Sequence, residues 1–121
     1  MGTDIHAVFQ MNKDGDWKDV VSYYDENRDY RLFTRLANVR NAGHEIPAFM
    51  PRGVPADFVL NDSYSWILFD TDSHNHSWLS ADEILSCEPI IDKFDFDYFT
   101  NEIKRLKDLH RDVRMVFWFD S

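Results

Sequence analysis

The sequence predicts an α+β fold, a small antiparallel or mixed sheet with two main helices packed on it. Three patterns carry that expectation. Residues 3–12 alternate apolar and polar with the period of a strand, and residues 28–40 and 95–110 repeat apolar positions with the period of a helix. Residues 113–119 (VRMVFWF) are apolar on both faces, as an inner strand flanked by neighbours must be.

Taken in order, the first strand presents Ile5, Ala7, Phe9 and Met11 on one face and Asp4, His6, Val8 and Gln10 on the other. Lys13-Asp14-Gly15-Asp16 reads as a tight hairpin turn with glycine supplying a positive φ, and residues 17–24 return as the second strand. Asp25, Glu26 and Asn27 offer caps for a helix over 28–40, with Leu32, Phe33, Leu36, Ala37 and Val39 as its stripe and Asn41-Ala42-Gly43 as its stop. The stretch 44–57 holds Pro47, Pro51, Pro55 and Gly53 and predicts an ordered loop anchored by Ile46, Phe49, Met50 and Val54. Short strands are expected at 66–69 and 76–79. Ser80 and Glu83 then form a capping box that opens a short helix to about 86. In the helix over 95–110, Phe99, Ile103, Leu106 and His110 share a stripe, and acids open and bases close it as the macrodipole favours.

A chain of 121 residues predicts a single domain over 1–121, and its 16% aromatic content excludes a disordered one. The lone Cys87 rules out an internal disulfide framework and a Cys-rich zinc module, and Glu88 beside it disfavours the thiolate a nucleophile needs. No apolar run approaches 18 residues and no secretory leader opens the chain, so no membrane partner and a cytoplasmic location are expected. The net charge of −9 opposes direct binding to nucleic acid, which rests on cations neutralising phosphates. Eleven acids against Lys93 alone lie between 54 and 103; they read either as a solubilising face or as a surface for a basic host factor.

Candidate chemistry gathers in the polar residues. Asp4 and His6 are two apart on a strand, and His74 and His76 repeat that spacing behind Asp70 and Asp72, so each pair faces one way if its segment is extended. Imidazole and carboxylate donors suit zinc, manganese or iron, which makes Asp4, His6, His74 and His76 a candidate ligand set for a divalent metal. The bland alternative is a loop held down by hydrogen-bonded histidines. Arg40, three residues after Ala37, is expected near the buried stripe, where its charge must meet an acid such as Asp4 or an anionic ligand. Arg52 sits in the stiff Pro51-Arg52-Gly53 turn. Fixed guanidinium groups suit phosphate, although pairing with one of 22 acids is the plainer reading. With His6, His74 and His76 as acid–base groups, these parts fit phosphoester or nucleotide chemistry. No P-loop, G-x-G-x-x-G or G-x-S-x-G motif is present, and the four tryptophans read as core or interface.

Several motifs together resemble a family of small, functionally uncharacterised proteins of bacteria and their phages. They are the opening Met1-Gly2-Thr3-Asp4-Ile5-His6, the Tyr-x-Leu-Phe-x-x-Leu-Ala-x-Val-Arg run ending at Arg40, and Pro51-Arg52-Gly53-Val54-Pro55. His74-Asn75-His76-Ser77-Trp78-Leu79 and the closing Val116-Phe117-Trp118-Phe119-Asp120 complete the set. The resemblance implies a phage or bacterial accessory protein with a counter-defence role, and it brings Trp78 into the candidate site. Two functions follow as expectations. One is a protein that binds a small anionic, nucleotide-like ligand through Asp4, Arg40, Arg52 and Trp78, with hydrolysis by the histidines as the candidate reaction. The other is a non-enzymatic acidic protein that inhibits a host factor. A homo-oligomer is compatible with both.

Overall fold

The computed structural model describes residues 2–25, 30–41, 47, 49–58, 72–86, 94–110 and 112–121. Among them four strands form one antiparallel sheet and three helices accompany it, the α+β fold the sequence predicts. In chain order the elements are β1 (Asp4–Lys13), β2 (Asp16–Asp25), α1 (Tyr30–Ala37), β3 (Ser73–Ser80), α2 (Ala81–Ser86), α3 (Phe94–Leu109) and β4 (Val113–Asp120). The strand order is β2-β1-β4-β3, so β1 and β4 are central. The expected strand at 66–69 lies outside the described residues.

The β1–β2 hairpin turns on Asp14 (φ 56°) and Gly15 (φ 91°), the paired positive values of a type I′ turn. Its geometry matches strand twist, and the Asn12 side chain accepts the Gly15 N–H at 2.9 Å. Helix α1 buries Leu32, Phe33, Leu36 and Ala37, the predicted stripe. It ends earlier than the spacing predicts. Asn38 takes a left-handed φ of 56° and returns its N–H to the Thr34 carbonyl at 2.9 Å, an αL stop that completes the helix three residues before the expected one. The Thr34 hydroxyl, 3.1 Å from the Val39 carbonyl, ties the outgoing chain to the helix. At the entrance to α2 the capping box forms reciprocally: Glu83 Oε1 accepts the Ser80 N–H at 3.0 Å, and Ser80 Oγ accepts the Glu83 N–H at 3.2 Å.

The main core lies between the helices and one face of the sheet. Ile5, Ala7 and Phe9 of β1 and Val113, Met115, Phe117 and Phe119 of β4 meet Leu32, Phe33, Leu36, Ile84, Ile103 and Leu106. Phe33 meets the edge of Phe119 with ring centroids 5.1 Å apart. The opposite face is not the open polar surface that β1's alternation predicts. Val8 and Trp118 pack there beneath Phe58, and Gln10 is buried beside them. The 49–58 segment is held to β3 by Gly53 N–H to the His76 carbonyl (2.8 Å) and Arg52 N–H to Ser77 Oγ (3.0 Å). Phe49 is half-buried as expected, whereas Met50 and Val54 are exposed and anchor nothing.

Candidate functional site

Register decides which predicted residues meet. Strands β3 and β4 pair Ser73 with Asp120 and His74 with Phe119; Ser77 with Phe117 then resumes the ladder one residue out of step. Asn75, at φ 52°, is the extra residue of this bulge. Because side chains alternate along a strand, one inserted residue sends His74 and His76 to opposite faces of the sheet. Their neighbours agree: His74 lies against Phe119 on the helix side, with centroids 6.2 Å apart, and His76 stacks on Trp118 on the other side at 6.3 Å. The expectation that both histidines face one way is therefore corrected by the bulge. Among the described residues no three His, Cys, Asp or Glu side chains group as metal ligands, so Asp4, His6, His74 and His76 do not form the expected set.

On the face away from the helices, His6 and His76 flank Trp118 from the two strands beside β4. The His6 ring is nearly parallel to the indole (13°), with centroids 5.9 Å apart. His6 Nε2 lies 2.5 Å from Asp120 Oδ2, one strand over and two residues further along β4. The carboxylate only accepts, so Nε2 carries the proton. This is a carboxylate-oriented imidazole, its ring plane fixed by a buried tryptophan.

The helix side of the same sheet end holds a chain of hydroxyls. Arg40 Nε donates to Thr3 Oγ1 at 2.8 Å, Thr3 Oγ1 meets Ser121 Oγ at 2.8 Å, and Ser121 Oγ meets His74 Nε2 at 2.8 Å. Arg40 is not on the stripe of α1, because the helix has already stopped. It is exposed at φ 57°, its guanidinium 5.2 Å from the centre of the Tyr30 ring. Asp4 is nearly buried in the strand pair, opposite Asp120.

Arg52 and Trp78 belong to a different cluster. Arg52 forms a two-pronged ion pair with Glu83, Nη1 to Oε1 at 2.8 Å and Nη2 to Oε2. Its guanidinium lies 4.8 Å from the Trp78 ring centre and 5.4 Å from that of Phe49. The hydrogen bond from Arg52 holds the Glu83 carboxyl down at about 2, against a smaller opposing effect of burial. For Arg52 the reading of a guanidinium paired with a protein acid is the one observed.

No family model, curated protein or solved structure matches this chain. Of the predicted residues, Asp4, His6, Arg40 and His74 come to one end of the sheet, divided between its two faces; His76 joins through Trp118, and Arg52 and Trp78 lie with Glu83. Two residues outside the expected set matter as much. Asp120 orients His6, and its place two residues beyond Trp118 on an inner strand was the available signal. Arg114 is buried within β4, bonded through Nε to Gln10 Oε1 (2.9 Å) and through Nη1 to Asp57 Oδ1 (2.8 Å). A single arginine inside an otherwise apolar inner strand has to find such partners.

Proposed function

We propose that the protein binds a small anionic, nucleotide-like ligand at the sheet end where β1 starts and β4 finishes, with His6 and Asp120 moving a proton on it. The observation that carries this reading is the 2.5 Å contact between His6 Nε2 and Asp120 Oδ2 on an imidazole stacked against Trp118. A carboxylate that fixes the tautomer and plane of a histidine leaves that ring prepared to take a proton from a water nucleophile and return it to the leaving oxygen. Arg40, exposed on the helix side of the same sheet end and across the sheet from His6, adds positive charge that draws an anion toward this end. The motif resemblance supports an accessory, counter-defence setting for such a ligand.

The test is calorimetric titration with nucleoside mono-, di- and triphosphates and inorganic phosphate, followed by an assay of phosphate release. Saturable binding is expected, with turnover falling at least ~100-fold in His6→Ala and in Asp120→Asn. Heats no larger than dilution for every nucleotide would end this reading. A second reading, an acidic inhibitor of a host factor, rests on the acidic stretch between 54 and 103, where the carboxylates of Asp57, Asp72 and Asp82 are exposed. Its mark is salt-sensitive binding of a basic peptide with no small-anion binding at all.

A further inference from the structure

At the far end of the same face lies an open groove of about 450 Å³, lined by Trp17, Pro55, Ala56, Asp57, Trp78 and Arg114. We infer that this groove is a binding site for an uncharged planar heterocycle whose edge carries a hydrogen-bond acceptor beside an N–H donor, the pattern of a nucleobase. The volume falls within the range of small-molecule sites, and the lining has their character, flat apolar walls with few polar groups. Trp17 and Trp78 provide the walls. Both are half-buried, and indole faces accept any aromatic ring by stacking.

The polar groups set the ligand's edge. Arg114 is buried, its guanidinium 4.0 Å from the centre of the Trp17 ring, with Nε and Nη1 already bonded. Its Nη2 is buried without an acceptor among the described residues. Such a donor is costly to leave unmet in a folded protein. Asp57, which takes Nη1 at 2.8 Å and is also hydrogen-bonded by Trp17 and its own backbone, exposes most of its side chain, and a carboxylate's two oxygens can accept about four bonds. Side by side, the pair sets an unmet donor of Arg114, which a ligand reaches only by displacing the atoms that cover it, next to an accessible acceptor of Asp57. A ring edge with C=O or ring nitrogen next to N–H is the complement of that pair. Carboxylate or phosphate ligands are a poorer match, since Asp57 would repel them.

The test uses uracil, the four nucleosides and 1,3-dimethyluracil, read from the indole N–H resonances of Trp17 and Trp78. Saturable shifts with uracil or a nucleoside are expected, and dimethyluracil, which keeps the flat face but lacks the donor, should bind about tenfold more weakly. Asp57→Asn, with its urea midpoint measured alongside because Asp57 also pairs the buried Arg114, is expected to weaken uracil binding by a similar factor, and Trp78→Leu to abolish it. Absence of saturable shifts with every probe at millimolar concentration overturns the inference. So does equal binding of uracil and dimethyluracil, or indifference to both substitutions. None of the probes carries phosphate, so this outcome is separate from that of the anion titration at His6.

Discussion

Glu83 carries three jobs in one carboxylate: it caps α2 through the Ser80 N–H, pairs with Arg52, and thereby pins the 49–58 segment to the sheet. Its pKa of about 2 in the folded protein, against an ordinary 4.5, has a defined consequence for stability. The unfolded chain takes up the proton first as pH falls, so the stabilisation is complete above the unfolded value and drains away toward pH 2. Discounted for the partial exposure of the pair, it amounts to about 1 kcal/mol at neutral pH. Glu83→Gln keeps an acceptor for the cap but loses the charge. Its urea midpoint should lie below wild type at neutral pH, and the gap should close between about pH 4.5 and pH 2. A gap that stays constant over that range would show that the ion pair contributes nothing. The hydrogen bond from Arg114 lowers the Asp57 carboxyl in the same direction. The capping box was legible because Ser80 and Glu83 carry their own local pattern. The partner of Glu83 was not, since Arg52 lies 31 residues away.

At the level of elements, single left-handed residues separate what the spacing predicts from what forms. Periodicity finds β1, the stripe of α1, α3 and the doubly buried β4, because burial imposes it directly, and β2 follows from the hairpin turn before it. It is blind to Asn38 and Asn75, where the chain changes direction by one residue and everything after is re-aimed. Arg40 leaves the helix stripe for that reason, and His74 parts from His76 for the same one. Asparagine tolerates left-handed φ better than most residues, and glycine better still. Asn75→Gly should therefore leave the thermal midpoint nearly unchanged, while Asn75→Val should cost about 1–2 kcal/mol in chemical denaturation. The separation of the two histidines can be read independently. His76→Ala should displace the indole resonance of Trp118, and His74→Ala should leave it in place, whereas equal effects would mean both imidazoles share a face.

For the whole molecule, stability concentrates where β1 and β4 run side by side with side chains packed above and below. Amide exchange should be slowest in those two strands and faster in β2 and β3, each of which has one neighbour in the described sheet. Phe117→Ala, removing a fully buried ring from the main core, should cost about 3–5 kcal/mol, while Leu109→Ser at the exposed end of α3 should stay within about 0.5 kcal/mol. A smaller loss at Phe117 than at Leu109 would contradict this placement of the core. The pairing of β1 with β4 also has a consequence during synthesis. The two central strands are separated by about 100 residues, which a ribosome adds in roughly 5–20 s. Over that interval β1 has β2 but not its other neighbour, and its apolar edge is open to any strand that passes. A nascent chain of this topology depends on being kept from its neighbours until β4 emerges, so its yield in cells should respond to translation speed and chaperone supply more than to the strength of any one contact.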